Sequence, residues 1–311
     1  PNKIPFIKTS FRVNLYKNYK KYPWVYFMAV PIFLYYTIFK YIPMFGIVVA
    51  FQNYNPALGF IKSNWVGLEH FKNFFTSPYA FRLIRNTLLI NFYQLIFGFP
   101  VPILLALLIN EVKNTKYKRT IQTFSYMPHF ISLVVICGII IDFCLTRGLF
   151  NDIREFLGLE RVNLLGENKY YRTIYVSSGI WQGMGWGSII YLATLSGVDP
   201  NLYEAAVIDG AGRLRQAIHI TLPAITPIIV IQLILRIGRI MSEGAEKTIL
   251  LYSPLIYDSA DIISSYVYRK GLQEMDFSFG MAVGLFNSIT NMLLLIFANW
   301  FARTFIEESL W

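Results

Sequence analysis

Six stretches of this 311-residue chain stay apolar for about the thickness of a bilayer, and no other feature constrains its fold as tightly. They cover 24–51, 83–110, 129–145, 173–195, 224–241 and 279–302. A hydrocarbon core of about 30 Å takes roughly 20 residues of helix to cross. Inside that core every backbone N–H and C=O must find a partner within the protein, which selects the helix for such segments. Composition agrees: 55% of the residues are hydrophobic, 17% aromatic and only 15% charged, where a soluble domain carries about 25% charged residues. The mean hydropathy is +0.45. The expected fold is all-α, with six transmembrane helices. The first run is too long for a cleavable signal peptide, and no small-residue cleavage site follows it.

Charge sets the expected orientation. Residues 1–23 hold Lys3, Lys8, Arg12, Lys17, Lys20 and Lys21 and no acid, and the loop after the second run adds Lys113, Lys116, Lys118 and Arg119. Positive loops stay cytoplasmic, so both termini and the loop 199–223 are expected inside. The chain then divides into a basic interfacial arm, 1–23, and one transmembrane domain, 24–311. A net charge of +10 fits this topology and attraction to anionic lipid. No basic stripe or nucleic-acid module accompanies it, so nucleic acid is not an expected partner. Cys137 and Cys144 both fall in the third run; seven residues at 1.5 Å rise separate them by about 10 Å, too far for a disulfide. No spacing of His, Cys or acidic residues suggests a metal site. Pro31, Pro43, Pro100 and Pro102 interrupt the first two runs and are expected to bend them.

The loop 199–223 is the most specific segment. It reads Glu204-Ala205-Ala206, three residues, Gly210, nine residues, then Ile220-x-Leu222-Pro223. Asp199 before Pro200 is a helix start, an N-cap acceptor followed by proline at the first helical position. A short helix is expected over 201–210, a turn at Gly210 and Gly212, and a second short helix through about Ile218, with Pro223 opening the fifth span. Ala205, Ala206 and Gly210 make a surface that another protein can approach closely, and Glu204 and Asp209 add charge.

That spacing resembles the loop by which permease subunits of bacterial ATP-binding-cassette importers engage their ATPases. Other segments are similar to the carbohydrate-uptake family of type I importers related to the maltose permeases. They are the run from Trp65 to Phe74, with its Val66-Gly67-Leu68 and Phe71, and Asn86-Thr87-Leu88. Met127-Pro128-His129-Phe130-Ile131-Ser132 and Tyr41-Ile42-Pro43-Met44-Phe45-Gly46 look like an oligosaccharide subgroup that includes alginate importers. The resemblance implies six transmembrane helices with short cytoplasmic coupling helices between the fourth and fifth. It implies ATPase docking through Glu204, Ala205, Ala206, Asp209, Gly210, Ile220, Leu222 and Pro223. It also implies a second homologous permease subunit, two ATPases and an extracytoplasmic solute-binding protein, assembled in a bacterial inner membrane. No Walker sequence occurs, so ATP and magnesium would reside on the partner ATPases and this chain is not expected to be an enzyme or to hold a cofactor.

Polar groups within spans are costly and mark a pathway or an interhelical bond. The pathway candidates are Asn91, Gln94, Gln182, Trp186, Gln232, Arg236, Asn287 and Asn291, with Tyr93, Trp181 and Tyr191 as aromatic platforms; the simpler reading of any single one is an interhelical hydrogen bond. Arg236 and Arg239 suit the carboxylate of an acidic sugar, or an internal pair with Asp142 at similar depth or with Glu243. The internal pair is the expectation. Three other readings are weighed. A non-sugar organic solute would use the same importer architecture. An ion-coupled secondary transporter would need buried carboxylates and an inverted repeat, where this chain offers Asp142 alone. A membrane enzyme would need a catalytic cluster, and none is visible.

Overall fold

The computed structural model describes residues 21–242, 244–306, 309 and 310. The basic arm up to residue 20 and Glu243 lie outside them. Helix α1 covers Pro23–Phe51 and leads into a two-stranded antiparallel hairpin, β1 (Gln52–Asn53) with β2 (Asn64–Trp65), in register Gln52 to Trp65. Helix α2 (Glu69–Thr76) precedes α3 (Ala80–Asn110). Then come α4 (Thr115–Tyr126), α5 (Leu133–Cys144), α6 (Leu149–Phe156) and α7 (Asn168–Leu195). Helix α8 (Pro200–Ile208) and α9 (Arg213–Ile237) follow. The chain closes with α10 (Ala245–Leu251), α11 (Ile263–Val267) and α12 (Phe277–Phe305).

The all-α expectation holds, and each of the six runs coincides with helix. Five stretches are long and apolar enough to cross a membrane: α1, α3, the pair α5–α6, α9 and α12. Helix α7, at 28 residues, is long enough at about 42 Å but less apolar. Its glycines 179, 183, 185 and 187 and its Ser and Gln residues are there because it is the helix around which the others pack. The third span departs from expectation. Helix α5 has only 12 residues, about 18 Å, so it cannot cross alone. It continues α4 through a 3-10 turn at Met127–Phe130, where Pro128 cannot extend a regular helix, and Ser132 restarts it by accepting from Val135 N.

Three prolines share a trace, while Pro31 and Pro227 sit inside regular helix. Widened π turns at Thr37–Tyr41, Gln94–Gly98 and Ala217–Thr221 stand just before Pro43, Pro100 and Pro223. A proline lacks the N–H donor and its ring crowds the carbonyl four residues back; a wider turn relieves both.

Close approach in the bundle rests on small residues. Gly187 meets Pro102 and Gly98 meets Ile180 between α3 and α7, and Gly185 lies against the backbone of Ser125 in α4. Ile103, Ala106, Tyr191, Leu195 and Ile225 fill the space where α3, α7 and α9 converge. Cys137 and Cys144 are buried, unpaired members of the α5 face, packed with Ile136, Tyr171 and Tyr175. The connections between the long runs contain α2, α6, α10 and α11, and the one at 238–276 folds back into the bundle: Leu251, Ile256, Ala260 and Ile262 are core residues. These apolar runs are too short to read from sequence as anything but loop. The first half of α1 behaves in the opposite way. No residue of Pro23–Tyr36 is buried, and Trp24, Phe27 and Phe33 are 76%, 70% and 72% exposed.

Candidate functional site

The loop 199–223 folds as its residue types require, with one correction. Asp199 Oδ1 accepts from Asn201 N at 2.9 Å and Pro200 opens α8. The helix ends in an αL turn at Gly210, φ +73°, with Ala211 N reaching back to Ala206 O at 2.8 Å; a glycine adopts that conformation without a Cβ penalty. The second short helix is not separate. Arg213–Gln216 runs through the π turn into Leu222–Ile237, so α9 is one helix. The widened turn accommodates Pro223 without a break, which is why sequence alone suggested an end there. Tyr203 Oη and Thr221 Oγ1, 3.1 Å apart, fasten α8 to the base of α9.

What this places outward is a patch. No residue of α8 is buried. Leu202, Val207, Ile208 and Leu214 are 52%, 62%, 85% and 75% exposed, beside exposed Glu204, Ala205, Asp209 and Gly210. Glu204 and Asp209 form no ion pair among the described residues. Leu222 and Pro223 are exposed too, with Ala206 and Ile220 half-buried.

The polar candidates do not form one site. Trp186, Gln232, Arg236, Arg239 and Tyr191 come together around an inner cavity of about 400 Å³ between α3, α7 and α9. Gln94 stands behind it, its Oε1 accepting from Arg236 Nη2 at 3.2 Å. The expected pair with Asp142 is not formed. No ion pair joins Arg236 or Arg239 to any described carboxylate; equal depth in two helices does not bring their side chains to the same face. Trp186 stacks on His129, centroids 4.4 Å apart and planes 5° from parallel. Tyr93 belongs to an outer cavity of about 560 Å³ lined also by Phe97, Asn168, Lys169, Arg172 and Ser177. Trp181 faces a different, apolar recess against α5 and α6. Gln182 is half-buried on α7 and joins neither of the two polar cavities.

Three candidates have structural partners instead. Asn91 Nδ2 donates to Thr87 O one turn back at 2.9 Å. Asn291 accepts from Met241 N at 2.9 Å and donates to Ser242 Oγ, and Asn287 donates to the same hydroxyl at 3.5 Å. The two asparagines of α12 thus hold the chain reversal after α9. Sequence reading missed Lys169 and Arg172, which precede the apolar run of α7 and were counted as loop. It also missed a buried clamp: Asp261, with no exposed surface, receives Arg269 Nη2 at 2.7 Å, Ser265 Oγ at 2.8 Å and Arg82 Nη2 at 3.6 Å. This clamp ties the segment 238–276 to the start of α3.

Comparison with known proteins identifies the family. Residues 98–307 match the family model described as "Binding-protein-dependent transport system inner membrane component", and the chain belongs to that family. It is 44% identical over 292 residues to Protein LplB of Bacillus subtilis (strain 168), covering 94% of this chain and 92% of that one. It is 45% identical over 289 residues to the polygalacturonan/rhamnogalacturonan transport system permease protein YteP of the same organism, covering 93% and 90%. A crystal structure of a bacterial ABC transporter involved in the import of the acidic polysaccharide alginate contains a similar chain at 41% identity and TM-score 0.86, covering 94% of this chain and 99% of that one. A second structure, of that kind of transporter with an alginate pentasaccharide-bound periplasmic protein, matches at 40% identity and TM-score 0.87, covering 95% and 99%. The protein is therefore a multi-pass inner-membrane permease component of a binding-protein-dependent ABC importer, a transport subunit and not an enzyme.

Proposed function

We propose that this permease moves acidic oligosaccharides inward by alternating access. The carrying observation is the inner cavity: two guanidiniums, Arg236 and Arg239, stand beside Trp186, Tyr191 and Gln232, and among the described residues Arg236 is held by a neutral amide and by no carboxylate. A guanidinium grips a carboxylate in a two-pronged, charge-assisted contact, while aromatic faces and amides suit a sugar ring. The names of relatives that handle polygalacturonan, rhamnogalacturonan and alginate support the same chemistry. Transport systems for arabinooligosaccharides match at lower identity, 28%, so a neutral sugar is the competing reading.

In this proposal residues 24–311 act as one transmembrane domain. The loop 199–223 faces the cytoplasm, and the exposed patch of α8, with Glu204, Ala205, Ala206, Asp209, Gly210, Ile220, Leu222 and Pro223, docks an ATPase. ATP and Mg²⁺ sit on that partner. ATP-driven closure moves α8 as a lever, and the covalent run from Gly210 into α9 carries the motion to Arg236, the residue at the cavity; a two-state element is biased by nucleotide. The bare aromatic face of Pro23–Tyr36 calls for a second permease subunit, and an extracytoplasmic binding protein delivers the sugar.

The test is uptake by the assembled importer of tri-galacturonate and of its methyl ester, in parallel with co-purification. Arg236→Gln is expected to lower acid uptake at least tenfold with the ester and the assembly unchanged. Glu204→Lys is expected to lose the ATPases while the permease pair persists. Equal loss of both sugars in Arg236→Gln would return Arg236 to a structural role and favour the neutral-sugar reading.

A further inference from the structure

The structure assigns a second carboxylate subsite to the outer cavity, built on Arg172 with Lys169, so that successive charged sugars of one chain meet separate cations along α7. The assignment rests on the acidic-oligosaccharide reading and extends it. Arg172 Nη2 donates to Asn86 Oδ1 at 2.9 Å, and Arg85 Nη2 donates to the same oxygen at 3.4 Å. Two guanidiniums thus share one uncharged acceptor, a like-charge juxtaposition that a passing anion would relieve. Arg172 Nε is buried and has no partner among the described residues, and neither Arg172 nor Lys169 forms an ion pair with a described carboxylate. Of the nearby acids, Glu167 is exposed and forms no ion pair among the described residues, and the two beside Arg85 and Asn86 are committed elsewhere. Asp261 is taken by Arg269 and Arg82, and Asp258 by Arg82.

The site is rigid as well as cationic. Asn86 has no exposed surface, and its Nδ2 donates to Asp261 O at 3.0 Å. The amide that aims Arg172 is therefore fixed to the same clamp that anchors segment 238–276. Opposite it, Tyr93 and Phe97 supply ring faces, and Asn168 and Ser177 supply neutral hydrogen-bonding groups, within about 560 Å³. The inner cavity lies one stretch of α7 away: Arg172 and Trp186 are 14 residues apart in the chain, about 21 Å of helix. Ile180, which lines the outer cavity, packs on Gly98, which lines the inner one. Each cavity therefore holds its own sugar, and a chain long enough to touch both is favoured over a single uronate.

The assembled importer, with its partner permease and ATPases, is assayed for uptake of galacturonate, tri-galacturonate and the methyl ester of the trimer. The variants are Lys169→Gln, Arg172→Gln and the charge-keeping Arg172→Lys. Lys169→Gln and Arg172→Gln are expected to raise the KM for tri-galacturonate about tenfold with kcat little changed. Ester uptake should be unaltered, and Arg172→Lys should restore most of the loss. An equal fall for acid and ester, not rescued by Arg172→Lys, would make Arg172 a structural residue and overturn the subsite. So would unchanged acid kinetics in both Gln variants. The underlying reading fails by a different sign, a parent importer that takes up the ester as well as the acid. A parent that prefers the acid, loses it in Arg236→Gln and keeps it in Lys169→Gln and Arg172→Gln overturns the outer subsite alone.

Discussion

Two glycines of α7, two residues apart, should respond oppositely to the same methyl group. A Cβ at Gly185 would stand 1.9 Å from Ser125 O and 2.3 Å from its carbonyl carbon, whereas a Cβ at Gly183 meets nothing within 4 Å. Ordinary contact begins near 3.4 Å, so Gly185→Ala must push α4 and α7 apart by about 1.5 Å at that point. The obstacle is backbone, which no rotamer change can clear. Overpacking costs about 1–3 kcal/mol and occasionally more, and a backbone obstacle belongs at the upper end. At roughly 2–4 °C per kcal/mol for chains of 150–250 residues, the melting temperature should fall by about 6–12 °C. Gly183→Ala should hold or rise, since alanine is favoured over glycine in a helix by up to about 1 kcal/mol. The assay is size-exclusion of tagged protein in mild detergent after a heating series. The displaced region adjoins Trp186 and its stack on His129, so uptake should fall in Gly185→Ala as well. Equal shifts in the two variants, or a melting temperature for Gly185→Ala within about 2 °C of the parent, would refute the close backbone approach as the reason for this glycine.

Further predictions concern buried charge. Asp261→Asn removes the carboxylate that Arg269 and Arg82 surround, and breaking a buried pair from one side costs about 3–5 kcal/mol. Folded yield should drop sharply and recover in part when Arg269→Met is added; an unchanged melting temperature for the single variant would contradict the clamp. Lys247 is 7% exposed, donates to Tyr175 O at 2.7 Å and lies over the Tyr175 ring. Burial pulls its ammonium from 10.5 down to about 8, the nearby Cys137 thiol opposing that shift. A group that binds its proton less tightly when folded penalises folding below pH 8, and the penalty fades as pH rises from about 8 to 10.5. Lys247→Met should therefore melt higher than the parent at pH 7, with an advantage that shrinks by pH 10. A constant advantage across that range, measured in the same melting assay, would show that the ammonium charge is not its source.

Some of this was legible in the residues because it depends on short lengths of chain. Run length specified α1, α3 and α12 within a few residues, since a bilayer tests each segment separately, but it missed the early start of α9 at Arg213 and the short α5. Asp199-Pro200 and Gly210 specified the start and end of α8, since caps and αL turns are local backbone chemistry. The spacing from Glu204 to Pro223 pointed to the family. What failed depended on which faces meet. Depth along a span can be counted from sequence, but rotation about the helix axis is set by packing, so Arg236 lies against Gln94 and not Asp142. The π turn before Pro223 let α9 continue where proline alone suggested a break. Segment 238–276 contributes core only because Leu251, Ile256 and Ile262 find partners on α3, α5 and α7, and Asp261 finds Arg82 far earlier in the chain. Arg172 and Lys169 read as a polar flank until the tertiary structure set them beside Tyr93 and Phe97. Sequence determined which stretches form long apolar helices and how the loop 199–223 turns; only the long-range packing of α3, α7 and α9 decided which cations stand without an acid among the described residues, because a partner contributed by a distant helix leaves no local mark.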